Sequence, residues 1–477
     1  MFIRTFFYAM AFILVFSSCK KILDLEPTHQ LEGPASFKTI EDYDFALTGA
    51  YSLFRSSYYY GAKGGANSFV TLPDMLSDNV NETPESLSNF TQVTTWNFAE
   101  DDINIDSTWQ AAYRIISQAN IVLRGIDKFS EKKATAVNRI KGQALAIRAL
   151  VHFDILRYWA PEFLRNSTKP GIPYMVEFDY EAKPGRGTIK ETYDRIEADL
   201  VQAAKLLPNT DHTINVNERA YIDTDVVNAI RARMYLYAKQ YDSAAKYATL
   251  VIDAIPLASR ASFPRIWTDA STAEVIWSVV FNAGEGAIAD NIFLTSVNNS
   301  PYRPNPALVA TFNPVADVRY AAYFQQAPNP AGTGTRLVLS KYLAKSSQLT
   351  RPDGVVNFKS FRTAEMYLIR AEARAQNSSS ETLALQDLNT LRQARITGFV
   401  PGTETGKPLI DAIELERRKE LIGEGHRWFD LKRTSKMINR TSCNNFCTLG
   451  SSSRSWAWPI PFSEINANPN MTQNPGY

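Results

Sequence analysis

Histidine and cysteine are scarce, at four and three in 477 residues. His29, His152, His212 and His426 do not stand at metal-ligand spacing, and no HExxH or Cys/His cluster occurs. The common zinc sites are therefore excluded, and no metal or other cofactor is expected. The Walker pattern GxxxxGK[ST] and the GxSxG elbow are also missing. Charge of one sign is lacking: 51 basic against 49 acidic residues leave a net charge of +2, with no run of five like charges. Without a basic surplus there is no electrostatic footprint for nucleic acid, which is not expected as a partner. After the first 18 residues no apolar run is long enough to cross a bilayer.

What is present begins with the N-terminus. Arg4 precedes the apolar run 6–16, too short for a mature membrane span, and Ser17, Ser18 and Cys19 follow. A small-small-Cys ending directly after such a run looks like the lipobox of bacterial lipoproteins. Residues 1–18 are expected to be a signal peptide, Cys19 the lipidated residue, and 19–38 an extended tether broken by Pro27, Gly33 and Pro34.

The rest is expected to be one body, 39–477. Helical spacing of apolar residues marks 39–55, 109–126, 139–159, 188–207, 225–255, 361–376 and 382–394, with a polar linker at 127–138. Thr188 and Glu191 have capping-box spacing. Ala232, Tyr235, Tyr241, Ala244 and Pro256 sit as in a tetratricopeptide unit, although Lys239-Gln240 replaces the usual turn glycine. The fold class expected is mainly α: a tetratricopeptide-like helix-pair scaffold with a long loop-rich insertion and few short strands. The loop-rich regions are about 57–107 and 256–357. Within the second, 274–281 reads as a strand and 337–339 as another. Asp102-x-Asn104-x-Asp106 opens like a calcium loop, but Ser107 and Tyr113 stand where Gly and Glu belong, so it reads as a helix cap. His152, inside an aromatic-rich helix, reads as a satisfied core residue rather than a general base.

The stretch 413–433, IELERRKELIGEGHRWFDLKR, is the most distinctive. Wound as one helix, it places Ile413, Leu421, Trp428 and Leu431 on one side and Leu415, Ile422 and Phe429 on a second. Glu416, Lys419, His426, Arg427 and Asp430 then face water. Arg417 and Glu424 point inward and are expected in an internal ion-pair network. Together with the lipobox, LDLEP at 23–27, TWQAAYRIISQAN at 108–120, RGTIKETYDRIEADL at 186–200 and QNPGY at 473–477, this string resembles the SusD/RagB family nearly end to end. The resemblance implies a glycan- or nutrient-binding lipoprotein of the Bacteroidetes outer membrane, lipid-anchored and facing the cell exterior, that caps a SusC-like TonB-dependent transporter. It implies no catalysis and carries over no ligand-binding residue. A surface-attached glycan-active enzyme and a protein-interaction scaffold are the alternatives; the first needs an apposed carboxylate pair.

Sugar rings pack on aromatic rings and their hydroxyls take directional hydrogen bonds. The loop rings Tyr58, Tyr59, Tyr60, Tyr302, Tyr320, Tyr323 and above all Trp96 are thus the candidate ligand platform. Asp78, Asn79, Asn81 and Arg303 are the candidate polar partners. Tyr235, Trp428 and Trp277 are discounted as core. The two irregular regions would have to meet at one face. Cys443 and Cys447 are expected as a short disulfide staple with no role in binding.

Overall fold

The computed structural model describes residues 37–477 apart from 62–66, 89, 180, 208–218, 283, 286–287, 289–291, 296, 344–355, 442 and 444. The signal peptide, Cys19 and most of the tether lie outside the described residues.

Thr39 caps α1 (Ile40–Leu53): its Oγ1 accepts from Asp42 N, and Asp42 Oδ2 accepts from Thr39 N at 2.7 Å. Helix α2 (Ile103–Leu123) starts earlier than its apolar spacing suggests, because Asp102 Oδ1 accepts from Asn104 N and Ile105 N. Asp102 is thus part of the helix cap expected there. Helix α3 (Ser130–Trp159) absorbs most of the expected polar linker, with a kink at Lys133. Its last carbonyls are closed from a distance: Lys432 Nζ donates to Arg157 O at 2.8 Å and Ala160 O at 2.7 Å. The Thr188–Glu191 capping box opens α4 (Ile189–Leu206).

The block 225–255 is two helices, α5 (Thr224–Tyr237) and α6 (Tyr241–Ala254). The chain turns at Lys239, whose φ of +56° does the work usually left to glycine. Helices α7 (Thr363–Ala375), α8 (Glu381–Arg395), α9 (Gly406–Glu420) and α10 (Arg427–Arg433) complete the scaffold. Each helix from α1 to α8 packs on the next, and α6 meets α7 across the whole insertion between them. Stacked pairs of this kind bury faces that no single pair could cover. The structure is helix-rich with few short strands, as expected.

The strands form isolated two-stranded ladders among the described residues. They are β1 (Val80–Glu82), β2 (Val275–Val279), β3 (Tyr302–Pro304), β4 (Phe324–Pro328), β5 (Thr335–Leu339), β6 (Phe358–Arg362), β7 (Ile438–Asn439) and β8 (Thr448–Leu449). The pairings are β1·β3, β2·β6, β4·β5 and β7·β8, all antiparallel. The C-terminal segment lies across the body, with Trp458 stacked on Tyr158 at 3.8 Å and Asn474 Nδ2 donating to Trp159 O. Among the described residues no helix is long and apolar enough to cross a membrane.

The stretch 413–433 is not one helix. It breaks between α9 and α10, where Gly423 and Gly425 take φ of +76° and +83°. A Cβ on Gly425 would stand 2.0 Å from Phe69 O, so backbone packing as well as φ demands glycine. The polar arc is buried rather than solvated: Glu416 and Lys419 face Arg319, Arg392 and Asp317 from α9 itself, and beyond the break His426 and Asp430 are buried too, whereas Leu415 is exposed.

Candidate functional site

The buried charges of 413–433 are matched by ion-pair partners. Arg319, Lys341, Arg362, Arg395 and Lys419 face Glu274, Asp317, Glu416, Glu420 and Glu424. Glu420 lies at the centre, 3.0 Å from both Arg362 and Arg395 and 3.1 Å from Arg319. Burial would raise its carboxyl, but Arg395, Arg362 and Arg319 together pull it far below the usual range. Arg417 binds Asp430 through Nε at 2.8 Å. The inward-pointing Arg417 and Glu424 thus sit in the ion-pair network expected of them. His152 is equally settled. Met175 N donates to its Nε2 at 3.0 Å, so the ring proton sits on Nδ1 and is given to Arg148 O at 2.8 Å. Burial pushes its pKa down to about 3, which removes it as a base poised near neutrality.

The same stretch aims a second region. Arg427 grips both Asp78 carboxylate oxygens at 2.7 and 2.9 Å, and Arg418 donates to Asn79 Oδ1 at 2.8 Å. Asn79 Nδ2 in turn donates to the buried Asp74 at 2.6 Å. Asp78 and Asn79 are therefore clamps that fix the start of β1, not ligand groups in the open. From there β1 pairs with β3 in the register Val80↔Pro304, Asn81↔Arg303, Glu82↔Tyr302. This pairing brings the two irregular regions to one face.

A cleft of about 320 Å³ opens on that face. Asn81, Glu82, Thr83, Thr91, Thr95 and Tyr302 contribute to its lining, with Arg440, Cys443 and Asn445 from the β7–β8 loop. Glu82 Oε1 accepts from Ser86 Oγ at 2.6 Å and Thr91 Oγ1 at 2.7 Å. Arg440 donates to Met75, Ser77 and Thr94 carbonyls at 2.7–2.8 Å, and burial brings its guanidinium down to about 10. Two lining atoms are buried without a hydrogen-bond partner among the described residues: Asn81 Oδ1 and Tyr302 Oη. Burial first, then the Glu82 carboxylate, drives the Tyr302 phenol upward; Thr94 opposes this but falls short of hydrogen-bond geometry. Unpartnered buried atoms also occur in the core, Tyr193 Oη and Tyr237 Oη among them, so these two bear on a ligand only together with the polar lining around them.

The expected exposed rings are mostly not exposed. Trp96 is 6% accessible; its Nε1 donates to Leu76 O at 2.9 Å and Arg440 covers its ring at 4.1 Å. Tyr59 and Tyr60 are buried on Asp154, to which Tyr59 Oη donates at 2.6 Å. Tyr323 is buried beneath Lys341 and donates to Glu420 O. Tyr58 and Tyr320 are half-buried against the core. The physical reason is shared: a ring in a short, irregular segment is the cheapest apolar group for anchoring that segment. Arg303 is paired with Glu85. Of the predicted group, Asn81 and Tyr302 line the cleft. Glu82, Thr91, Thr95 and Asn445 were missed. The Ser/Thr/Asn-rich run 74–97 carries the signal for Glu82, Thr91 and Thr95; Asn445 has none. Arg440 gave no local signal. The Cys443 and Cys447 sulfurs face each other with Cα atoms 5.7 Å apart, the spacing of a bridged pair, and Cys443 lies in the cleft wall rather than away from it. Among the described residues no cluster of His, Cys, Asp and Glu suits a metal ion.

The stack of helix pairs is a fold with many solved examples. A SusD superfamily protein of Bacteroides thetaiotaomicron superposes with TM-score 0.79 at 25% identity, covering 92% of this chain and all of that one. One from Bacteroides vulgatus gives 0.80 at 24%, with the same coverage.

The chain is similar to the SusD/RagB family in two stretches. The model of the SusD family matches 316–477, and that described as "Starch-binding associating with outer membrane" matches 42–236. A SusD-like protein of Formosa agariphila is 25% identical over 97% of this chain and 96% of its own. The starch-binding protein SusD of Bacteroides thetaiotaomicron is 35% identical over 28% of this chain and 23% of its own.

Proposed function

We propose that the protein binds neutral carbohydrate in the β1–β3 cleft at the outer-membrane surface and delivers it to a SusC-like TonB-dependent transporter. The observation that carries this is the pair of buried, unpartnered atoms, Asn81 Oδ1 and Tyr302 Oη, in a lining rich in hydroxyls and amides. Sugar hydroxyls both donate and accept, so one ligand type satisfies an amide oxygen and a phenol together. Among the described lining residues Glu82 is the one carboxylate, and serine and threonine hydroxyls already hold it. Glycoside hydrolysis uses a pair, so the lining favours capture over catalysis.

The relatives' description makes malto-oligosaccharides the first probes, followed by other neutral oligosaccharides. Calorimetry with the intact protein is expected to show binding that Asn81→Ala weakens. A cleft that takes up none of them overturns the proposal. Attachment follows from the N-terminus: residues 1–18 are removed, Cys19 is lipidated, 19–38 is the tether and 39–477 is a single body. Cys19→Ala should move the protein out of the membrane fraction; retention after a high-salt wash contradicts the anchor. Co-purification of a TonB-dependent transporter with the tagged chain tests the partner.

A further inference from the structure

A second cavity, of about 380 Å³, shares no lining residue with the cleft. Tyr174 comes to it from the loop after α3, Arg186 from the approach to α4, and Glu191 and Arg195 from the first two turns of α4. Its walls are fixed by contacts of their own. Gly171 N donates to Gly187 O at 2.7 Å. Tyr174 Oη donates to Asp199 Oδ2, and its ring stacks on His152 at 3.8 Å.

Two guanidinium groups line this cavity, and neither makes a salt bridge among the described residues. Arg186 is half-buried and gives three of its five N–H groups to carbonyls: Gly171 O at 2.9 Å, Thr472 O at 3.1 Å and Pro170 O at 3.4 Å. Burial brings it down to about 10, and no carboxylate acts against that shift. Arg195 lies 5.9 Å over the Tyr174 ring and gives one N–H to Tyr174 O at 3.5 Å. Arg148, Arg233 and Arg362 show the other solution, a carboxylate within 2.7 Å. Glu191 is the one carboxylate in the lining. It is exposed, and its Oε2 is spent on Thr188 N and Oγ1 at 2.8 and 3.0 Å, which leaves Oε1 open.

We propose that this cavity binds a small hydroxy acid of the uronic-acid kind, its carboxylate on Arg186 and Arg195 and a hydroxyl on Glu191 Oε1. Two cations against one acid make the lining net positive, and guanidinium–carboxylate hydrogen bonds are strong ones. A neutral sugar would leave both guanidinium groups without a counter-charge. A bare anion would leave Oε1 without a donor. A hydroxy acid supplies both groups, and the volume lies at the lower end of small-ligand pockets. The site is independent of the cleft reading, whose probes are neutral oligosaccharides.

The test is calorimetry with the intact protein and three probes: sodium glucuronate, its neutral amide glucuronamide, and sodium acetate. Glucuronate should bind at least about tenfold tighter than either of the others, because each of them lacks one half of the pairing. Added sodium chloride should weaken it. Arg195 is exposed, so Arg195→Gln should keep the wild-type thermal midpoint and lose about tenfold or more in glucuronate affinity. Arg186→Lys keeps the charge but not the planar fork and should weaken binding too; if it does not fold, Arg195→Gln decides alone. Glucuronamide binding as tightly as glucuronate refutes the carboxylate pairing, and acetate doing so refutes the hydroxyl contact. Unchanged affinity in Arg195→Gln overturns the site, as does a wild-type protein that binds no glucuronate.

Discussion

Two polar regions of this molecule sit close together and obey opposite rules. Around Glu420, full charges are buried and matched: Arg319, Arg362 and Arg395 converge on one carboxylate. Around Asn81 and Tyr302, neutral groups are buried and left unmatched. The first arrangement joins α8, α9, the residue before β2 and the end of β6, and it is closed to solvent. The second is open, built on two three-residue strands and a loop. A buried ion pair adds little net stability, yet removing one member is costly because its partner stays behind. An unmatched neutral group costs less to keep and keeps its capacity to bond something else. Arg418 and Arg427 connect the regions, since they leave the ion-pair stretch to clamp Asp78 and Asn79 beneath the cleft.

The largest effect should come from Glu420→Ala. It removes the carboxylate that three buried guanidinium groups share, leaving them only Glu274, Asp317, Glu416 and Glu424, and a loss of about 3–5 kcal/mol in denaturant unfolding is expected. A loss under about 1 kcal/mol means the network relaxes freely and the contrast between the regions is false. Gly425→Ala comes next, at about 2–3 kcal/mol, from its left-handed φ and the Phe69 carbonyl in the way. If that variant is as stable as wild type, the α9–α10 break is not fixed by this contact.

A smaller, pH-dependent effect belongs to His152. Its folded pKa of about 3 lies below the unfolded value near 6.5. Between these values the unfolded chain binds more protons, so stability is lost as pH falls from about 6.5 to about 3, at up to about 1.4 kcal/mol per pH unit. Urea midpoints of His152→Gln should fall less steeply than wild type over that interval. Parallel curves would show that the ring is already protonated in the fold. The smallest effect should be on the stability of a cleft variant: Asn81→Ala is expected to unfold within about 0.5 kcal/mol of wild type. A large loss would make the cleft part of the scaffold after all.

Much of the scaffold was legible because its signals are local. Apolar spacing marked the helices, Thr188 and Glu191 announced their capping box, and 274–281 announced β2. Arg417 and Glu424 announced buried partners by pointing the wrong way for a soluble helix. Periodicity could not show that the helix breaks at Gly423 and Gly425. Phe69, far away in the chain, packs against Gly425 there, and Glu416 and Lys419 are interior because the distant Arg319 and Asp317 pack against them.

The candidate site was legible only in its neighbourhood. Composition pointed to the two irregular regions, and tertiary pairing of β1 with β3 decided which of their residues face each other. Trp96 and Arg303 look as available as Asn81 in a string of letters. Arg440 lying over the Trp96 ring, and Glu85 pairing with Arg303, removed both from the open. The sequence by itself determined the helical class, the family resemblance and the need for an internal ion-pair network, because spacing and charge act along the chain. Tertiary structure alone decided which polar atoms were left without partners. That is a property of distances between segments far apart in the chain, and no local pattern encodes it.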